Sequence, residues 1–207
     1  IINPVAGKGG FRSGLNETLE TFYNGGYIPT VYFTAGKGDA TRLAKERGAD
    51  YDLVVCAGGD GTLSEVVSGL VTLDTPPPLG YIPIGSTNDV ATTLNLPRNP
   101  LKAAQNIISG KPVPLDVGKF GNDAYFTYIA AFGAFTDVSY ETPQETKQVL
   151  GHLAYILEGM SRLKNLTHHK CTVEYDGGVI HEDLIFGAVT NSTSVAGLLR
   201  LDGSVVH

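Results

Sequence analysis

Gly58-Gly59-Asp60-Gly61-Thr62 constrains this chain more than any other stretch. Leu53-Val54-Val55-Cys56-Ala57 runs into it, apolar throughout and of strand length. Leu63, Val66, Val67 and Leu70 follow it at i, i+3, i+4 and i+7, the stripe of an amphipathic helix. The stretch therefore reads as buried strand, glycine turn, helix. Three glycines within four residues remove Cβ atoms and let backbone N–H groups come close to a ligand. The helix points the positive end of its dipole at the same spot, which favours a phosphate. An acidic residue inside an anion cradle needs a reason. The usual one is a cation shared with the phosphates, most often Mg²⁺. The alternative is a tight strand–helix turn in which Asp60 caps the helix. Glycine spacing alone leaves both open.

The residues before position 111 repeat this strand–helix pattern. Ile1-Ile2-Asn3-Pro4 reads as the end of a first strand, and Val5-Ala6-Gly7-Lys8-Gly9-Gly10 as a glycine-rich loop. Lys8 does not make a Walker A motif, because the glycine five positions before the Gly-Lys pair and the following Ser/Thr are absent. A helix follows with Leu15, Leu19 and Phe22 on one face, ended by Asn24-Gly25-Gly26. Tyr27 to Phe33 reads as a second strand, placed at an edge by Pro29. Asp39 is expected to cap a helix that Gly48 ends. Leu79 to Ile84 is a fourth strand running into Gly85-Ser86-Thr87-Asn88-Asp89. Short helices are expected from Val90 and over Leu101 to Ser109. Alternating strands and helices imply a parallel sheet. Ligands of such sheets bind beyond the carboxyl ends of the strands. Three polar loops lie there: Asn3 to Gly10, Gly58 to Thr62 and Gly85 to Asp89.

The pattern changes near Lys111-Pro112. Val113 to Phe120, Ala124 to Phe132, Cys171 to Tyr175, Val179 to Glu182 and Leu184 to Thr190 read as strands, with Asp176-Gly177-Gly178 as a hairpin turn. One helix is expected from Thr146 to Leu163. The expected architecture is an α/β parallel-sheet domain over residues 1–111, followed by a mainly β domain over 112–207.

Composition excludes some classes. A net charge of −6 and a pI of about 5.3 argue against a nucleic-acid binder with a broad basic surface. No apolar run approaches the roughly 20 residues that a spanning helix needs. Two cysteines, Cys56 and Cys171, make no disulfide framework, which fits a reducing, cytoplasmic setting. His168-His169 reads as a solvated connection rather than a metal site. Lys37, Lys45 and Arg47 read as a solvated helix face.

Taken in order, Asn3-Pro4 with Gly7, Gly58-Gly59-Asp60-Gly61-Thr62 and Gly85-Ser86-Thr87-Asn88-Asp89 resemble the diacylglycerol kinase catalytic-domain family, in particular its soluble bacterial lipid kinases. Thr34 with Gly38-Asp39-Ala40, Leu115-Asp116-Val117-Gly118, Leu150-Gly151 with Ala154-Tyr155, and Thr190-Asn191-Ser192 fit it as well. The likeness covers nearly the whole chain. It implies a nucleotide domain and a β-sandwich with ATP and Mg²⁺ in the cleft, and a lipid hydroxyl at the membrane surface as acceptor. It also admits a homodimer. Carried over by motif, Asn3, Pro4, Val5, Ala6, Gly7, Thr34, Gly59, Asp60, Gly61, Thr62, Leu63, Ser64, Glu65 and Ser86 would hold ATP. Asp60, Asp89, Asp116 and Lys147 would form a charged catalytic network.

Two departures from the family pattern matter. Leu198-Leu199-Arg200 leads straight into Leu201-Asp202-Gly203, where the family has a longer segment, so Asp202 is only an approximate match to its metal-binding aspartate. The family's general base lies in a later sandwich strand, expected beyond His207. The chain opens without Met inside Ile1-Ile2 and stops in a stretch of strand character, so further sequence is expected at both ends. These residues alone are expected to expose a sheet edge and to lack activity. Gly-Gly-Asp-Gly also occurs in NAD kinases, and a non-enzymatic nucleotide-binding module is a third reading. Asn88-Asp89 within Gly-Ser-Thr-Asn-Asp fits the lipid kinases better.

Overall fold

A strand with helices on both of its faces must be apolar on both, which is how Leu53 to Ala57 is composed. The computed structural model describes residues 1–7, 11–122, 124–133, 167–191, 194–195 and 199–200. The apolar run becomes β1 (Val54–Gly58), which pairs in parallel with β2 (Leu79–Pro83), Val54 opposite Leu79 and Gly58 opposite Pro83. The opening residues lie along its other edge. Ala57 N donates to Ile1 O and Asn3 N to Ala57 O, both at 2.9 Å. Ile2 in turn bridges Phe33 in parallel, with Ile2 N donating to Tyr32 O at 2.8 Å. The order across the sheet is the Phe33 segment, the Ile2 segment, β1 and β2.

The two outer segments fall short of expectation. The first is a bridge at Ile2 rather than a ladder. The second, expected over Tyr27 to Phe33, is a single bridge at Phe33. Pro29 has no N–H to give a ladder.

Alternate residues of the sheet feed two cores. Val54, Cys56 and Tyr81 are buried against Ala40 and Ala44 of α2 (Asp39–Arg47), Leu63, Val66, Val67 and Leu70 of α3 (Asp60–Leu70), and Val90 and Ala91 of α4 (Asp89–Thr93). Ile2, Ala57 and Ile82 face the opposite layer, with Phe22 of α1 (Phe11–Asn24) and Ala103 and Ala104 of α5 (Pro100–Ser109). The α3 stripe is thus buried as its spacing predicts. Each side chain of this size contributes roughly 1.5–3 kcal/mol by leaving water.

Helix ends follow local chemistry, with one correction. Asn99 caps α5, its side chain accepting from Lys102 N at 3.0 Å, with Pro100 in the first turn. Asp39 does not cap α2. Gly38 takes the cap position at φ 82°, and the Asp39 carboxylate instead accepts from Ala35 N at 2.9 Å, closing the preceding loop.

The first two strands expected beyond α5 are shorter in the structure, whereas those of the later hairpin are longer. Val113 to Phe120 reduces to β3 (Gly118–Phe120), antiparallel to β4 (Ala124–Phe126). Ala124 to Phe132 breaks into β4 and β5 (Ile129–Gly133). At the break, Thr127 is buried with its hydroxyl 3.2 Å from Ser64 Oγ, and Tyr128 O takes the Asn191 N–H at 2.8 Å.

Two compact units result: Ile1–Ile129 with Thr190–His207, and Ala130–Val189. The first also holds the short antiparallel pair β9 (Ser194–Val195) and β10 (Leu199–Arg200). Within the second, β6 (His169–Tyr175) and β7 (Gly178–Leu184) form the expected hairpin, Tyr175 opposite Gly178 across an Asp176-Gly177 turn. β8 (Phe186–Thr190) pairs with β5. The helix expected over Thr146 to Leu163 lies outside the described residues.

Candidate functional site

Three loops leave the carboxyl ends of the parallel segments, and their backbones touch. Gly59 and Gly85 meet face to face. A Cβ on Gly85 would sit 2.5 Å from Gly59 Cα, so only glycine permits the contact. Gly7 is left-handed at φ 63°, and a Cβ there would lie 2.1 Å from Ile84 O. Glycine is required here twice over, by conformation and by space. The first loop is tied to α3 by Asn3, whose Nδ2 donates to Thr62 Oγ1 at 3.0 Å. Asn3 also shapes its own turn, its Oδ1 accepting from Val5 N at 3.1 Å and its carbonyl from Ala6 N at 3.2 Å.

Asp60 joins the second loop to the third. Its Oδ2 accepts from Asp89 N at 3.1 Å and its Oδ1 from Val90 N at 3.0 Å. It is therefore not the cap of its own helix. Gly59 holds that position, and Asp60 caps α4 from across the sheet. Burial pushes the Asp60 carboxyl above its ordinary range. The Val90 and Asp89 N–H groups pull it back in part, and the nearby Asp89 charge adds to the rise. Asp89 is buried at 2 % exposure, and the half-buried Asp60 lies beside it.

The third loop is shaped by a residue that the sequence places in the Gly85 to Asp89 motif but to which it assigns no role at the site. Asn88 is buried and left-handed, at φ 54°. Its Oδ1 accepts from Gly85 N at 2.9 Å, its Nδ2 donates to Gly85 O at 2.8 Å, and Tyr81 OH donates to Oδ1 at 3.4 Å. Asparagine in a polar loop is visible in sequence, but the partner that tells a shaping side chain from a solvated one is not.

The other anticipated positions divide. Thr34 stands beside the first loop, its N–H donating to Ile2 O at 2.9 Å, and Ser86 is exposed on the third. Pro4, Val5 and Ala6 form the turn held by Asn3. Gly61 is open, with nothing within 4 Å of a Cβ built there. Among the described residues, the Gly61 and Thr62 N–H groups have no protein acceptor. Leu63 is turned inward, its side chain in the core and its N–H on Gly59 O at 3.0 Å. Ser64 pairs with Thr127. Glu65 reaches α2, its Oε1 accepting from Gly38 N at 3.0 Å.

Asp116 stands apart from the two aspartates. It was expected on a strand but is exposed in an irregular stretch before β3, and its backbone carbonyl accepts from Asn191 Nδ2. Lys147 and Asp202 lie outside the described residues.

Backbone amides gathered beyond the carboxyl end of a doubly covered parallel sheet define a class, the α/β domains that take phosphate-bearing ligands at that edge. The family profile described as "Diacylglycerol kinase catalytic domain" matches residues 1–120. A diacylglycerol kinase of Bacillus subtilis (strain 168) is 42% identical over 203 residues, covering 97% of this chain and 67% of that protein. One from Staphylococcus carnosus (strain TM300) is 39% identical over 202 residues, covering 97% and 66%. A crystal structure of a diacylglycerol kinase from Bacillus anthracis str. Sterne superimposes with a TM-score of 0.75 at 28% identity, covering 98% of this chain and 68% of that one. The chain belongs to the diacylglycerol kinase catalytic-domain family. It spans about two thirds of the length of these relatives.

Proposed function

We propose that this chain carries the nucleotide-binding part of a lipid kinase that transfers the γ-phosphate of ATP to the hydroxyl of diacylglycerol or a related lipid. The observation behind this reading is the closure of three loops on one another through Gly59, Gly85 and Gly7, beside the start of α3, where the Gly61 and Thr62 amides have no acceptor among the described residues. A helix start with unpaired donors is where a phosphate oxygen gains most. Family membership supplies the acceptor class, since the relatives are named diacylglycerol kinases.

In this reading Asn3 to Gly7, Thr34, Gly59 to Glu65 and Ser86 receive ATP. Leu63 contributes through backbone shape, Glu65 through its hold on the Gly38 loop. The Ser86 hydroxyl, exposed beside Gly85, is a donor for a phosphate oxygen. Asp60 locks the third loop against the second, so the donors on both are preorganised, which is most of what phosphoryl transfer asks of a protein. Asp89, Asp116 and Lys147 are proposed to complete a charged network, and Asp202 to take part in metal binding. The Asp60 carboxylate, raised by burial, suits a neighbouring cation. Bound Mg²⁺ would neutralise charge on the phosphates. No helix among the described residues is long and apolar enough to cross a membrane. In this reading the lipid is met by peripheral contact, from the cytoplasmic side.

Transfer of ³²P from [γ-³²P]ATP to diacylglycerol in mixed micelles, with NAD⁺ as the competing acceptor, tests this. Labelled lipid is expected. Label in NAD⁺ alone, or in neither, overturns the assignment.

A further inference from the structure

Asn88 is not among the residues that the motifs assign to ATP, yet its side chain holds both backbone polar groups of Gly85 in the third loop. It is 4% exposed and sits at φ 54° between β2 and α4. Both ends of its amide are used within the loop: Oδ1 takes the Gly85 N–H at 2.9 Å and Nδ2 gives to the Gly85 carbonyl at 2.8 Å. This closes Gly85-Ser86-Thr87 into a ring held by bonds within the chain. Tyr81 OH, rising from β2, reaches the same Oδ1 at 3.4 Å. Directly after Asn88, the Asp89 and Val90 N–H groups are held by Asp60, and Gly85 rests on Gly59.

We propose that Asn88 is a positioning residue for ATP: with Tyr81, its side chain sets the Gly85-Ser86-Thr87 loop at the height where the loop meets the nucleotide phosphates. The inference rests on the kinase reading above. It predicts a specific division of effects. A ring that acts on the nucleotide loop alone weakens nucleotide binding when it is lost and leaves the acceptor unaffected. Its bonds are made within the chain and not to the nucleotide, so its loss adds the cost of ordering three residues to binding.

The test measures Kd for Mg·ATP by titration calorimetry, and KM for ATP and for diacylglycerol by ³²P transfer, on the native protein and four variants. Asn88→Gly keeps the left-handed backbone and deletes the ring; ATP Kd and KM are expected to rise about tenfold with the lipid KM within twofold. Asn88→Asp keeps the acceptor and loses the donor to Gly85 O, and is expected to fall between. Tyr81→Phe removes one long bond and is expected to stay within about threefold. Asn95→Gly is the control, a second left-handed asparagine at φ 53° whose side chain is exposed, and its ATP Kd should equal the parent's. A lower melting temperature with unchanged ATP Kd in both Asn88 variants would make the residue structural only and overturn the proposal. If Asn88→Gly does not fold, Asn88→Asp decides on the same criterion. A parent that binds Mg·ATP but labels no lipid would refute the lipid-kinase reading while the Kd series still decides for Asn88. A parent that does not bind Mg·ATP would refute both.

Discussion

Asp60 shows how one carboxylate can hold two loops. Its oxygens accept from Asp89 N and Val90 N, bonds of the charge-assisted kind. Asp60→Asn keeps one acceptor oxygen but sets an NH₂ group against a backbone N–H. The expected cost is about 1–3 kcal/mol in stability, read as a lower urea midpoint, together with weaker ATP binding. A pH series separates the charge from the bonds. The folded Asp60 pKa lies above its ordinary value of 3.8, mainly through burial. Its contribution is therefore fully present below about 3.8 and is lost as pH rises through the folded value. The stability of the parent relative to Asp60→Asn should accordingly shrink from pH 3.5 upward and level off once Asp60 is ionised. A difference that grows over that range would place the shift in the opposite direction.

At the scale of elements, α2 and α3 pack as closely as they do because of Gly69. A Cβ there would stand 2.4 Å from Thr41 O and 2.9 Å from Lys45 N, both backbone atoms of α2. Gly14 in α1 has nothing within 4 Å of the same position. Helix propensity alone favours alanine over glycine by roughly 0.5–1 kcal/mol at either site. Gly14→Ala should therefore raise the melting temperature. Gly69→Ala should lower it, since displacing a packed helix costs about 1–3 kcal/mol and exceeds the propensity gain. Thermal denaturation of the two variants side by side checks this. Equal stabilisation would mean that the interface relaxes freely. Elements also show where periodicity misled. Residues 27–33 carry strand-forming side chains, yet a ladder requires N–H groups in register on a paired edge, and Pro29 supplies none.

At the scale of the molecule, the proposed ligand bridges loops from separate parts of the chain: Asn3 to Gly7, Gly59 to Thr62, and Gly85 to Ser86. A ligand that binds only when these are assembled stabilises the folded state by RT ln(1 + [L]/Kd), about 2.7 kcal/mol at a hundredfold excess over Kd. For a chain of this size that corresponds to a melting-temperature rise of about 5–10 °C. Differential scanning fluorimetry with Mg·ATP, and with Mg·AMP as the comparison lacking the outer phosphates, should show the rise with ATP only. An equal rise with both would move recognition away from the phosphate loops.

Local pattern sufficed for much of this architecture. The apolar run before Gly58, the stripe of Leu63, Val66, Val67 and Leu70, and the Asp176-Gly177 turn each depend on residues close in the chain, whose spacing sets which face is buried. So does the recurrence of glycine-rich loops after parallel strands, from which the location of the candidate site follows. Other features depend on partners far apart in the chain, which no local pattern specifies. Asp60 reads equally well as a cap for its own helix or as a cation site; its bonds to Asp89 and Val90, about thirty residues on, make it the cap of another helix. Thr127, buried within a run of good strand residues, has its hydroxyl on that of Ser64, 63 residues away in the chain. Short-range spacing determines which elements form, while the hydrogen-bond partners of polar groups are chosen when those elements pack, because a buried polar atom must find one wherever in the chain it lies.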